Sequence, residues 1–187
     1  MLFRSVHYFM KLGADVNGIE NPSLNRPLHT AIQSGNWAAL SVLLDAGANP
    51  NVRNAEGHTP LYLIARNKPP AEMLEAKPFA AARLLVAKGA NASIAANDTW
   101  TPLHIATAHR YSNMVRLLVE LGANINAEAT DRDISELTPT LIAEDHNYQE
   151  LRDFLRAKGG TVNNAFVVKR GLQRALGAVI APLVVSH

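Results

Sequence analysis

Apolar residues along this chain fall into short paired runs whose punctuation repeats. The clearest pair is Thr101-Pro102-Leu103-His104-Ile105-Ala106, then Val115-Arg116-Leu117-Leu118, closed by Gly122-Ala123-Asn124; degraded copies stand upstream and downstream. Two marks set the period. A glycine before an Ala-Asp or Ala-Asn pair falls at Gly13, Gly47, Gly89 and Gly122, with a looser echo at Gly159, and a proline suited to open a helix falls at Pro27, Pro60, Pro102 and Pro139. The proline spacings are 33, 42 and 37 residues and the glycine spacings 34, 42, 33 and 37. One unit is therefore about 33 residues, and two units carry insertions. Self-similarity at this period predicts stacked supersecondary units, so the functional question concerns a surface before it concerns a reaction.

The pattern predicts two helices per unit, near 27–34 and 37–46, 60–66 and 79–88, 102–109 and 112–121, and 139–145 and 148–157. Proline in the first helical turn forfeits no hydrogen bond and presets φ. Thr59, Thr101 and Thr138 precede it and cap the helix with a hydroxyl. The glycine after the second helix accepts the left-handed conformation that ends it.

Thr-Pro-Leu-His with the later Leu-Leu and Gly-Ala-Asn resembles the ankyrin repeat, over roughly residues 1–160. The resemblance implies an all-α solenoid of helix-turn-helix pairs joined by β-turn or hairpin fingers, and a non-enzymatic protein-interaction module. It divides the chain into a half repeat at 1–24, repeats at about 25–57, 58–99, 100–136 and 137–160, and a tail at 161–187. The array starts in mid-repeat, as a natural N-terminal cap or by truncation, and the last unit is the least regular, as a terminal repeat is. In the family the histidine after Pro-Leu bridges backbone and hydroxyl groups between turns; here that implies His29 and His104, with Tyr62 and Thr140 in its place in the other two units, which should be held less uniformly.

The family's partner surface combines the finger tips with the exposed side of each first helix. Carried onto this sequence, the tips are Arg53, Asn54, Glu56 and His58, then Asn97, Asp98 and Trp100, then Asp131 and Arg132. The helix positions are Gln33, Ser34, Asn36 and Trp37, then Arg66 and Asn67, then Thr107, His109, Arg110 and Tyr111. Exposed Trp, Tyr and Arg are frequent hot spots, so Trp100, Arg110 and Tyr111 are the leading anchor candidates. Trp100 has an alternative role as a cover for the neighbouring hairpin, and Trp37 as a staple for the second helix.

Two departures from the period are peculiar to this chain. Arg66 to Pro78 adds nine residues between the helices of one unit, with Ala71–Ala76 bracketed by prolines and expected to form one short helical turn. It reads as a tolerated surface insertion, since loop length costs little closure entropy, or as a partner-contacting loop. Ala127 to Leu137 is four residues longer than the standard turn and carries Glu128, Asp131, Asp133 and Glu136 against Arg132. This acidic finger either meets a basic partner or is simply solvated.

The tail places Val168, Leu172, Ala175, Leu176, Val179 and Leu183 on one helical face and Lys169, Arg170, Gln173 and Arg174 on the other, with Pro182 ending or kinking the helix. An amphipathic C-terminal helix of this kind caps the open side of the stack or, alternatively, binds a partner groove or lies weakly on a membrane surface. The chain holds 18 basic and 16 acidic residues; the tail contributes three bases and no acid, leaving 15 against 16 in residues 1–160. The array is near neutral, and a concentrated nucleic-acid footprint is missing.

Hydrophobic residues make up 48% and charged residues 18%, and there is no cysteine, which removes disulfides and thiolate metal sites. No uninterrupted apolar leader opens the chain, and no run of about 18 apolar residues spans a bilayer. A cytoplasmic location is expected, or export as an effector without a recognisable leader. The seven histidines form no helical zinc pattern, and no nucleophile elbow, phosphate loop or catalytic carboxylate pair appears. Neither an enzyme nor a cofactor, metal, nucleic-acid or small-molecule site is expected. Asn17, Asn51 and Asn126 fall where some ankyrin proteins accept hydroxylation, or where an asparagine bonds its own turn. The functional expectation is a monomer that binds a protein partner, either as a general module, as a dedicated inhibitor, immunity protein or secreted effector, or as a membrane-peripheral adaptor.

Overall fold

The computed structural model describes residues 15–18, 22–68, 76–131 and 134–162. The tail helix and the core of the insertion lie outside the described residues.

Eight helices appear among the described residues: α1 (Pro27–Gln33), α2 (Trp37–Asp45), α3 (Pro60–Arg66), α4 (Ala76–Ala87), α5 (Pro102–Ala108), α6 (Ser112–Glu120), α7 (Pro139–Asp145) and α8 (Gln149–Ala157). Between α6 and α7 a two-stranded antiparallel finger pairs β1 (Ala129–Asp131) with β2 (Ile134–Leu137), Ala129 facing Leu137 and Asp131 facing Ile134. The acidic extension is this finger. The eight helices expected of the repeat units are all present, with one shift: α4 begins at Ala76, so Pro78 lies inside its first turn rather than before it. A proline there removes no bond, because first-turn amides have no partner within the helix.

The caps follow the sequence chemistry. Thr59, Thr101 and Thr138 hydroxyls accept from the backbone N–H of Tyr62, His104 and Leu141 at 3.2, 3.4 and 3.2 Å. Each second helix ends on a glycine of positive φ; at Gly122, with φ 83°, a side chain would be strained.

First helices stack as one layer, α1 on α3, α3 on α5 and α5 on α7, and α2 packs on α4 in the second layer. One continuous core runs between the layers from Leu28 in α1 to Leu155 in α8, with Leu40, Leu61, Leu85, Leu103, Met114 and Leu118 fully buried. A smaller cluster of Ala129, Leu137, Leu141 and Ile142 seats the finger on α7. Ion pairs cross-link successive second helices on their outer side: Lys88–Asp45 at 2.9 Å, Arg83–Glu120 at 3.2 Å and Arg116–Glu150 at 2.8 Å.

Asparagines stitch the units in two ways. Asp15, Asn49, Asn91 and Asn124 each accept from the backbone N–H two residues on, bonding their own turns. Asn51 and Asn126, four residues after their unit's glycine, reach into the next turn instead. Asn51 donates to the Gly89 carbonyl at 2.9 Å and accepts from Asn91 N–H at 2.8 Å; Asn126 donates to Gly159 at 3.1 Å and accepts from Thr161 N–H at 2.8 Å. Asn17 likewise accepts from Asn49 N–H at 2.9 Å. The self-bonding expected of these three is thus corrected: they bridge units. Ser93 holds the same place in the middle of the array; it accepts from Asn124 N–H at 2.8 Å but lacks the amide that donates to the glycine carbonyl. Ser93→Asn is therefore expected to stabilise the fold by about 0.5–1.5 kcal/mol. Chemical denaturation measures it, and an unchanged midpoint would dismiss the missing bond as a weakness.

Candidate protein-interaction surface

Four fingers and the four first helices make up the surface to which sequence reasoning points. The finger tips are tied to one another. Arg53 donates from Nε to the Gly57 carbonyl at 3.2 Å and from Nη2 to Asn97 Oδ1 at 3.1 Å, and Asn97 donates from Nδ2 to the Ala55 carbonyl at 2.8 Å. Gly57 sits at φ 78°, and a β-carbon there would lie 2.7 Å from Asn97 N, so glycine alone lets the two fingers meet. The equivalent position, three before each helix-opening proline, has positive φ throughout: Leu24 at 55°, Thr99 at 69° and Glu136 at 64°. Thr99 recovers part of the strain, since its hydroxyl accepts from Thr130 N–H at 2.7 Å and fastens the acidic finger.

The histidines bridge as the resemblance implies. His104 Nδ1 accepts from Thr101 N–H at 3.1 Å and lies 2.7 Å from the Thr101 hydroxyl; Nε2 faces the Leu137 carbonyl of the next unit at 2.8 Å. His29 repeats this with Arg26 N–H at 3.0 Å and the His58 carbonyl at 3.0 Å. With Nδ1 accepting, the proton belongs on Nε2 and the ring is neutral. Burial lowers both pKa values from 6.5, outweighing the backbone carbonyls that raise them. Tyr62, in the histidine's place, stacks on His58 with centroids 4.2 Å apart, and burial pushes its phenol up to about 12. Thr140 Oγ1 is buried with no partner among the described residues.

Four residues expected on the surface, Tyr111, His58, Asn54 and Thr107, are buried. Tyr111 is 1% exposed, because its ring turns inward from the start of α6 into the core and tilts against Phe79 at 5.9 Å. His58 is 6% exposed, stacked on Tyr62, with its Nδ1 3.2 Å from Glu56 Oε2 and its pKa lowered mainly by burial. Asn54, also read as a tip, is buried and accepts from the His58 and Glu56 amides at 2.9 and 3.1 Å. Trp100 is half-buried: it tilts on His104 at 6.0 Å and packs on the finger cluster. It covers the hairpin. Trp37 is half-buried against the main core at the first position of α2, as a staple would be. Trp100 and Arg110 lie beyond opposite ends of α5, a helix about 10 Å long, so they form no single anchor cluster with Tyr111.

Arg53, Glu56, Arg66, Asp98, His109 and Arg110 are exposed. The side chains of Asp131 and Arg132 lie outside the described residues. Sequence reasoning passed over Lys68, His146 and Tyr148 at the helix-turn ends, although Gly35, Arg110 and Asn147 share positive φ in corresponding turns and mark those ends as one edge. Along it, His109 Nδ1 lies 3.0 Å from the Arg66 carbonyl, Lys68 Nζ donates to the Arg110 carbonyl at 3.2 Å, and the Arg110 guanidinium lies 5.4 Å from the Tyr148 ring centre. Among the described residues no helix is long and apolar enough to cross a membrane.

The family model for ankyrin repeats (3 copies) matches residues 28–129 and 75–165, and the chain belongs to the ankyrin repeat family. Such repeats are protein-interaction modules and are generally non-enzymatic. Among characterised proteins, the chain is 30% identical to NF-kappa-B inhibitor alpha of Sus scrofa over 109 residues, 58% of this chain and 34% of that protein. It is 34% identical to palmitoyltransferase ZDHHC13 of Mus musculus over 61 residues, 33% of this chain and 10% of the relative. It is 43% identical to the BTB/POZ domain and ankyrin repeat-containing protein NBCL of Lotus japonicus over 60 residues, 32% and 12% respectively. The chain thus spans between a tenth and a third of these relatives, and the short palmitoyltransferase match shows no enzymatic role.

Proposed function

We propose that this chain binds a protein partner through the face formed by its finger tips and the exposed edges of its first helices, with Glu56 and Asp98 on the tips and Arg66, His109 and Arg110 at the helix-turn ends. The observation behind this reading is that consecutive units leave these charged and polar side chains exposed in rows. Apolar side chains, by contrast, are spent on the core: among the described residues Leu24 is the one large hydrophobic that is exposed. The partner contacts are therefore polar around a few part-buried anchors such as the edge of Trp100, and Arg53 contributes while holding its finger.

Capture from cells of the source organism with the 187-residue chain, followed by calorimetry on the captured protein, tests the proposal. Asp98→Ala and His109→Ala are each expected to weaken binding by about tenfold. Arg83→Ala, on the second-helix layer, is expected to leave it unchanged. Loss confined to the second-helix variant would overturn the assignment of the face.

A second reading, a dedicated inhibitor of one protein, is favoured by the similarity to NF-kappa-B inhibitor alpha over more than half of this chain. A single partner at about nanomolar Kd or tighter supports it, whereas several partners nearer micromolar support the general module. A cytoplasmic location accompanies either reading. A membrane-peripheral adaptor acting through residues 165–187 predicts liposome co-sedimentation that is lost on their deletion.

A further inference from the structure

The charges of the exposed face are sorted between its two edges. The finger edge exposes Glu56, Asp98, Glu128 and Glu136, with Arg53 as its exposed cation among the described residues and Arg26 half-buried on the first finger, donating to the Asn17 carbonyl at 2.7 Å. The helix-turn edge exposes Arg66, Lys68 and Arg110, with His109 and His146 beside them. Its carboxylates among the described residues are Asp145, Glu144, engaged by Arg156 at 2.9 Å, and Glu150, engaged by Arg116 at 2.8 Å; Glu72 and Glu75 of the insertion lie outside the described residues. An elongated acidic ligand would be repelled by one edge and attracted by the other.

The helix-turn cations are also held in place. Lys68 Nζ is tied across the unit boundary to the Arg110 carbonyl at 3.2 Å, His109 is tied back to the Arg66 carbonyl at 3.0 Å, and Arg110 lies over the Tyr148 ring of the following unit. One strip therefore crosses three units, and part of the entropic cost of ordering long cationic side chains is met before any ligand arrives.

Arg110 occupies its place against the backbone's preference. Its φ is +50°, where only glycine sits without strain, and Gly35 at φ +65° fills the corresponding turn of the first unit. The turn's conformational need is met by glycine, so the guanidinium is not what the turn requires. The exposed guanidinium inside this pre-tied strip is therefore available for an external contact.

We propose that the strip Arg66–Lys68–His109–Arg110, flanked by Tyr148, docks an extended acidic segment of a protein partner, its carboxylate or phosphate side chains lying against the three cations. Arg110 supplies the forked, two-donor contact and Lys68 a point charge beside it. This rests on the reading that the same face binds a protein, and it specifies which edge takes which chemistry.

Fluorescence anisotropy on the 187-residue chain tests it with three dye-labelled peptides: an oligoglutamate, a phosphoserine peptide of equal length and an oligoglutamine. Binding of either anionic peptide, weakening as salt rises and not matched by oligoglutamine, is expected, and the two anionic arms tell carboxylate from phosphate recognition. Lys68→Gln and Arg110→Gly should each weaken it by about tenfold, and Arg83→Gln should not. Arg110→Gly separates docking from scaffolding: binding falls while Tm stays level or rises, because strain is relieved. Three results would overturn the proposal: no anionic binding, equal loss in Arg83→Gln, or a Tm drop in Arg110→Gly with Lys68→Gln binding normally. A captured partner sensitive to Asp98→Ala but indifferent to both strip variants would keep the binding face and end the acidic-segment assignment.

Discussion

Replacing Leu118 with alanine is expected to destabilise the protein by about 3–5 kcal/mol. Leu118 lies in α6, fully buried, in the continuous core between the two helix layers. Truncation removes transfer free energy and leaves a cavity, and stacked helices relax into it only in part, since each is held on both sides. The loss is a large share of the about 5–15 kcal/mol that natural domains possess. Units in a solenoid are coupled mainly to their neighbours, so damage in the third unit uncouples the fourth. Urea unfolding followed by circular dichroism should show a lowered midpoint and a broadened or stepped transition. A loss below about 1 kcal/mol would mean that this part of the core is loosely packed.

His104→Ala is expected to cost about 2–4 kcal/mol, because it strands buried polar groups in two units at once. Thr101 N–H loses its acceptor and the Leu137 carbonyl its donor, both around a ring with no solvent exposure. The same geometry makes the fold acid-sensitive. A native ring whose Nδ1 faces an N–H donor resists a second proton, whereas the unfolded histidine takes one near pH 6.5. Below that pH the unfolded state binds more protons, so stability falls as pH drops from 6.5 toward the depressed native value. The slope is bounded at about 1.4 kcal/mol per pH unit for each histidine held this way, with His29 adding its own share. Denaturation midpoints at neutral and mildly acidic pH should diverge in the wild type and converge partly in His104→Ala. Equal pH slopes in both would show that His104 is not held neutral.

The helix pairs, their caps and their glycine ends were legible because local chemistry decides them. Proline belongs at a first helical turn, threonine offers a hydroxyl to a free amide, and glycine tolerates the left-handed stop wherever the chain stands. The bridging role of His29 and His104 came through the family motif, and the same register carries their Nε2 atoms to the carbonyl two residues before the next proline.

The site was less legible. Tyr111 and Arg110 are neighbours in sequence, yet one ring turns in against Phe79 and the other side chain stays in solvent. Which of two adjacent turn residues points inward depends on the gap left by the preceding unit, and no local pattern encodes that gap. His58 and Asn54 read as tip residues by position, and stacking on Tyr62 and bonds across the finger bury them. Trp100 reads either as an anchor or as a cover for the neighbouring hairpin, and it packs on the longer finger of the next unit.

By itself the sequence determined the family, the period, the element boundaries to within a few residues and the two insertions, since each follows from residue chemistry within one unit. The stacking of units decided the rest. It set which asparagine bonds its own turn and which reaches the next, which aromatic rings are buried, and that acid gathers on one edge and base on the other. Those features arise between residues about one repeat apart, whose juxtaposition exists only once neighbouring units share a core.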